Sequence, residues 1–178
     1  MILLIMSAFA AALCGSVSSA DEPARSLKTE FLMTLRAPLD PASNINDSLS
    51  ISNVSATGSQ VQGPRIHGVL VPPGGDWSRT LASGVLRLDV RLTIKTDDGA
   101  LIYVSYNGIE KDSDVTEAKS KRGEVLKAND VKYWVIAPTF ETSSPKYAWL
   151  NELQAIGKMT EYKDGPGGFV KYEIYAAR

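Results

Sequence analysis

Two residue types that carry much of protein chemistry are nearly missing from this chain of 178 residues: it holds 1 cysteine, Cys14, and 1 histidine, His67. One thiol forms no intrachain disulfide, and several His or Cys ligands cannot be gathered around a zinc ion within one chain. A Ser-His-Asp triad would have to use His67. An excess of one charge is missing as well. The 19 Lys and Arg residues against 20 Asp and Glu residues leave a formal net charge of −1, with no block of like sign. A basic surface for nucleic acid is therefore excluded. No metal and no cofactor motif is found, and none is expected.

No apolar run is long enough to span a bilayer as a helix. The opening stretch MILLIMSAFAAALCGSVSSA is apolar from Ile2 to Leu13 and then small and polar to Ala20. Its length falls short of a membrane helix, and Ser18 and Ala20 match a signal-peptidase site. The expectation is a signal peptide over 1–20, cut before Asp21 and carrying Cys14 away; a membrane anchor or a misplaced start is the alternative. A flexible lead-in over 21–28 and one domain over 29–178 follow. The chain left after cleavage, about 158 residues, suffices for one core. The mature protein is expected to be secreted or periplasmic, with no stable membrane insertion. Asn46-Asp47-Ser48 and Asn53-Val54-Ser55 are glycosylation sequons. They are either used, in a host that glycosylates, or chance products of a Ser/Asn-rich stretch.

What is present is strand pattern. In Val85–Thr96 (VLRLDVRLTIKT) the residues Leu86, Leu88, Val90, Leu92 and Ile94 share one face, and Arg87, Asp89, Arg91, Thr93 and Lys95 the other. A period of two over this length predicts a strand. Asp97-Asp98-Gly99 then predicts a tight turn, and Ala100–Tyr106 its return strand. Further strands are predicted over Thr29–Arg36, Leu49–Val54, Arg65–Val71 (ended by Pro72 and Pro73), Val131–Phe140 and Phe169–Ala176. Pro138 puts its strand at an edge or a bulge, and Gly157 suggests a bulge within Gln154–Tyr162. Asp112–Asn129 reads as a short surface helix with a loop. Many short strands and little helix predict a single-domain, mainly β protein: an antiparallel barrel with one short helix. Closure removes exposed edges and leaves room for a cavity.

Gly63-Pro64-Arg65 with Gly68, the stretch PPGGDW (Pro72–Trp77), LDVRLTIKTDDGALIYV and FETSSPKYAWLN together resemble an uncharacterised family, domain of unknown function 3237, also called UPF 0311. The resemblance covers roughly Phe31 to Tyr175. It implies a compact antiparallel β-barrel of one domain and no agreed activity. Where members carry Tyr-Phe-Arg-Thr, this chain has Tyr133-Trp134-Val135-Ile136, so an arginine that would hold an anionic ligand is replaced by Val135. Members typically lack a signal peptide.

Candidate site residues fall into groups, each with a plainer alternative. In PPGGDW, Gly74 and Gly75 permit a tight corner with positive φ, Asp76 accepts turn amides, and Trp77 caps a barrel mouth, either as a plug or as a stacking wall for a planar ligand. Asp89 and Arg91 share a strand face: turned inward they form a buried ion pair in a polar pocket, turned outward a surface pair. Asp97 and Asp98 shape the turn or begin a calcium site. Glu141 lies near Trp134, Phe140, Tyr147 and Trp149 in sequence; it is either a general acid or base with a raised pKa or a rim carboxylate. Tyr103 and Tyr147 are candidate donors to an enolate or carbonyl oxygen. His67 is a structural strand residue or the single imidazole available for chemistry near neutral pH.

The catalytic set expected is Asp89, Arg91, Tyr103 and Glu141. The ligand-binding set is His67, Asp76, Trp77, Trp134, Tyr147 and Trp149. Two functions compete: a barrel that binds a small ring-bearing or hydrophobic organic ligand, and a cofactor-independent lyase, isomerase or cyclase using carboxylate acid–base chemistry. A third, a structural surface protein, leaves the polar strand face without a purpose.

Overall fold

The computed structural model describes residues 26–178. The expected signal peptide and most of the lead-in lie outside the described residues. In chain order the strands are β1 (Thr29–Pro38), β2 (Ser43–Asn44), β3 (Leu49–Asn53), β4 (Gln60–Gln62), β5 (His67–Thr80), β6 (Leu86–Thr96) and β7 (Leu101–Lys111). The helix α1 (Asp114–Lys121) follows, then β8 (Leu126–Lys127), β9 (Tyr133–Glu141), β10 (Ala155–Lys163) and β11 (Phe169–Ala177). Ser113 caps α1: its hydroxyl accepts the Thr116 amide at 3.2 Å while the Thr116 hydroxyl accepts the Ser113 amide at 2.9 Å, which satisfies two donors the helix leaves free.

Strands pair in the order β5-β4-β1-β11-β10-β9-β7-β6, and β6 returns to β5, so eight antiparallel strands close into a barrel. Closure follows from the alternation of side chains. On β6 and β7 the even-numbered residues Leu88, Val90, Leu92, Ile94, Ile102, Val104 and Tyr106 are buried inside. Trp134, Ile136 and Phe140 of β9 and Val170, Tyr172 and Ile174 of β11 join them. Each fully buried aliphatic side chain contributes on the order of 1.5–3 kcal/mol.

The two ends differ. Toward the β6–β7 turn the interior is filled by Ile66, Ile94, Ile102, Leu150 and Ala176, all buried. Toward the other end Gly108 and Gly157 flank Ile136. A Cβ on Gly108 would stand 2.8 Å from Ile136 Cγ2, and one on Gly157 would stand 2.7 Å from Ile136 Cγ1. Gly157 is therefore glycine to admit Ile136; the bulge in β10 falls instead between Met159 and Glu161.

PPGGDW is not a corner. β5 runs through it, with Pro72, Pro73 and Gly74 standing opposite the single residue Leu92 of β6. Two extra residues on one strand preserve its period, so Asp76 and Ser78 still face inward, while Trp77 faces out. Neither Gly74 nor Gly75 uses positive φ. They serve close approach: a Cβ on Gly75 would lie 3.0 Å from the Ser52 carbonyl oxygen. The double proline is accommodated because no ladder donor is needed in a bulge. Beyond it β5 pairs with β3 (Ile51 opposite Trp77, Ser52 opposite Asp76). Pro138 sits where β9 has lost β10, whose pairing reaches only Ile136; the Gln154 amide donates to the Pro138 carbonyl at 3.1 Å instead.

Backbone also approaches closely at Gly68, where a Cβ would run into the Lys95 carbonyl oxygen and stand 2.9 Å from Thr96 Cα. Backbone cannot yield as a side chain does. Gly68→Ala is expected to destabilise the barrel by about 3 kcal/mol, roughly a 10 °C fall in Tm. A loss below about 0.5 kcal/mol in thermal or urea unfolding would refute this packing.

Candidate functional site

The open end of the barrel holds a hollow of about 150 Å³. Its wall takes Ser50 and Ser52 from β3, Asp76 and Ser78 from β5, Leu86, Leu88 and Val90 from β6, and Tyr106 and Glu110 from β7. Trp134 from β9, Tyr162 from β10 and Val170 and Tyr172 from β11 complete it, with Ala37, Leu39, Ala42 and Val54. The aromatic side is contiguous. The Trp134 ring lies 5.0 Å from Tyr162 and 6.5 Å from Tyr172 between centroids, and Tyr106 lies 6.1 Å from Tyr172.

Polar groups converge in this apolar frame. The Trp134 indole N–H donates to the Tyr172 hydroxyl at 3.0 Å. The Tyr106 ring packs edge-on to Tyr172, and the negative charge of Asp76 lies near both phenols. Burial and that charge hold both hydroxyls protonated far above the usual phenol range. Asp76 Oδ1 accepts the Asp89 amide at 3.1 Å. Burial outweighs this bond and raises the Asp76 carboxyl to about 6, with the Asp89 charge adding to the rise. Glu110 is only 9% exposed. Burial pushes its carboxyl well up, and the charges of Asp112, Asp76 and Asp164 act the same way. The site therefore holds two acids whose carboxyls are displaced upward by burial, Asp76 to about 6 and Glu110 well above its ordinary value, both beside phenol donors. Two carboxyls with displaced pKa values in one cleft are a recognised mark of function.

The fold redistributes the residues expected from sequence. Asp76 and Trp134 line the hollow. Asp89 and Arg91 do not: they are odd-numbered on β6, their side chains are 45% and 49% exposed, and their 2.9 Å ion pair is a surface pair. Trp77 shares that outer face, 38% exposed, with the Arg91 guanidinium 5.6 Å from its ring; it caps no mouth. Tyr103 and Glu141 stand opposite each other across β7 and β9, also outside. Glu141 follows the inward Phe140 by one residue, and the strand period turns it away from Trp134. His67, Tyr147 and Trp149 gather in a groove at the filled end, with Arg65 and Lys146. There the Arg65 guanidinium lies 3.8 Å over the Trp149 ring. Asp98 is occupied by Lys146 at 2.6 Å and by the Tyr147 hydroxyl at 3.2 Å, and the Lys146 ammonium holds its carboxyl well below the usual range. Among the described residues, no three His, Cys, Asp or Glu side chains are grouped to hold a metal ion.

A sequence profile for a family described as a protein of unknown function, DUF3237, matches residues 27–177. The chain belongs to the DUF3237 family. A UPF0311 protein of Rhodopseudomonas palustris is 28% identical over 140 residues, which is 78% of this chain and 91% of that one. The crystal structure of a conserved protein of unknown function from the same species covers 88% of this chain and all (100%) of its own, with a TM-score of 0.75 at 25% identity. A crystal structure described as an enzyme from Penicillium herquei covers 89% of this chain and 100% of its own, with a TM-score of 0.60 at 23% identity, and shares the fold. In this DUF3237 chain the residues that sequence reasoning missed are Tyr106, Glu110, Tyr162 and Tyr172. The signal for Glu110 was available: the period of two in LIYVSYNGIEK runs on from Ile102 to Glu110, past the point where the strand was expected to stop.

Asp76 binds its proton more tightly folded, at about 6, than at its ordinary 3.8. Folding thus takes up a proton between these values, and stability falls as pH rises through that window. Asp76→Asn removes this slope. The variant is expected to gain about 2 kcal/mol on the parent between pH 4 and 7. Parallel pH–stability curves for the two proteins would contradict the burial assigned to Asp76.

Proposed function

We propose that the barrel binds a small, ring-bearing organic molecule at its open end. The observation that carries this is the hollow itself: one open mouth with aromatic and aliphatic walls and a few convergent polar groups, the usual make-up of a ligand site. Its volume of about 150 Å³ matches one aromatic ring, since an engineered apolar cavity of that size takes up benzene. Leu88, Val90 and Val170 offer the ring an apolar bed, and Asp76, Ser78 and the phenols fix its polar substituent.

A second reading has its own support. Asp76, titrating near 6, suits a general base at neutral pH, and Glu110, whose carboxyl burial pushes well up, suits a proton donor. On this reading the barrel moves a proton on its bound ligand without a cofactor, as a lyase, isomerase or cyclase does. The same fold occurs in the Penicillium herquei enzyme. The acid–base pair is then Asp76 and Glu110 in place of Asp89 and Glu141.

The chain has 3 tryptophans, and Trp134 alone lines the hollow. A Trp77→Phe/Trp149→Phe protein leaves it as the reporter. Small aromatic alcohols and phenols are expected to shift or quench its emission saturably, and Val90→Trp is expected to abolish the response by filling the hollow. Saturable binding with no change in Trp134 emission, or binding that survives Val90→Trp, would overturn the assignment. If Asp76→Asn and Glu110→Gln bind as the parent does but lose all turnover of a ligand it converts, the second reading holds; a parent that converts no bound ligand removes it.

A further inference from the structure

The mouth carries negative charge without a counter-ion. Asp76 and Glu110 face the hollow, Asp112 and Asp164 lie close to Glu110, and no lysine, arginine or histidine is among the lining residues. Three cations near these strands are engaged on the outside: Arg91 with Asp89 at 2.9 Å, Lys119 with Asp130 at 2.9 Å, and Arg36 with the Gly58 carbonyl at 2.7 Å and the Phe169 ring. A second observation is independent of the charges. Four aromatic rings, Tyr106, Trp134, Tyr162 and Tyr172, occupy neighbouring positions around the same space. A third concerns Glu110. It is nine-tenths buried, and the charges nearest it are those of other acids, Asp112, Asp76 and Asp164.

We propose that the open mouth is selective for a ring-bearing organic cation, a protonated or quaternary amine, whose ammonium group lies between the Asp76 and Glu110 carboxyls and the aromatic ring faces. The proposal rests on the reading of the mouth as a small-molecule site and names its ligand class. Buried carboxyls are costly without a partner charge, and an ammonium group supplies it. Aromatic faces attract the same group, most strongly where water is excluded, and cages of rings beside carboxylates are a recurrent way to hold alkylammonium ions. An anionic ligand meets like charge from every acid at the mouth. A neutral one gains hydrogen bonds and ring contacts but leaves the carboxyls uncompensated.

The groups facing Asp76 are the Asp89 amide from β6, Tyr106 and Glu110 from β7 and Tyr172 from β11, with the Asp89 carboxyl near it on the outer face. None of these is cationic, so a bound ammonium is the partner that draws off the Asp76 proton. Benzylamine, benzyl alcohol and benzoate carry one ring with a cationic, neutral or anionic head, and suit a comparison by calorimetry on the purified protein. Benzylamine is expected to bind at least about tenfold more tightly than benzyl alcohol at pH 7.5, an advantage of about 1.4 kcal/mol, and benzoate more weakly than either. Benzylamine affinity is expected to rise between pH 5 and 7, where the amine stays protonated and Asp76 ionises, while benzyl alcohol affinity stays flat. In Asp76→Asn the tenfold preference is expected to shrink to about twofold, with a cooperative melting transition like the parent's as proof that the variant is folded.

Equal binding of the amine and the alcohol, tighter binding of benzoate, or an amine affinity indifferent to pH in the parent protein would overturn the cation inference and leave the ring-binding reading standing. No binding of any of the three, with Trp134 emission unmoved, would overturn both.

Discussion

Burial of acids without a compensating charge is the constraint from which the functional account of this molecule follows. A closed antiparallel sheet has an inside and an outside, and alternate residues of every strand must choose. In most of the barrel the inward positions are aliphatic or aromatic. At one end Asp76 and Glu110 take inward positions on β5 and β7. Desolvation there favours their neutral forms, and the displaced titrations follow from it. A purely structural barrel would gain by replacing both with apolar side chains of similar volume, because an unpaired buried acid detracts from stability. The acids are therefore read as belonging to a site rather than to the core.

Local packing places that site. The bulge at Pro72–Gly74 adds residues to β5 without changing which face looks inward, so Asp76 and Ser78 enter the mouth beside β3. Gly108 and Gly157, opposite Ile136 on the two strands beside β9, leave room for its side chain between them. The Trp134–Tyr172 hydrogen bond fixes two rings of the wall and links the indole to the phenols beside Asp76. Stability and ligand access are thus divided along the barrel axis, the filled end holding the strands together and the open end carrying the polar groups.

The architecture was legible in the sequence because strand periodicity is a local signal. The alternation of Leu86 to Ile94, the Asp97–Gly99 turn, the short helix after Asp112 and the last strand all stand where the pattern put them. The resemblance in PPGGDW and FETSSPKYAWLN indicated the barrel and the family. The direction each face takes was less legible. The charged face of β6 admitted two orientations, and only pairing on both sides settles that Asp89 and Arg91 look out. Trp77 and Glu141 were drawn to the site by composition, although one residue of phase separates each from an inward neighbour, Asp76 and Phe140. β4, with three residues, carries too little pattern to be seen. Glu110 was missed because a charged residue near a strand end looks like the start of a loop.

The central claim, that two acids sit desolvated in the barrel mouth, is tested most directly by carbon-13 NMR titration of the Asp and Glu side-chain carboxyls, with Asp76→Asn and Glu110→Gln assigning the two signals. The account predicts that Asp76 titrates at about 6 and that Glu110 titrates well above the ordinary glutamate value. Both carboxyls titrating near 4, as exposed ones do, would contradict it.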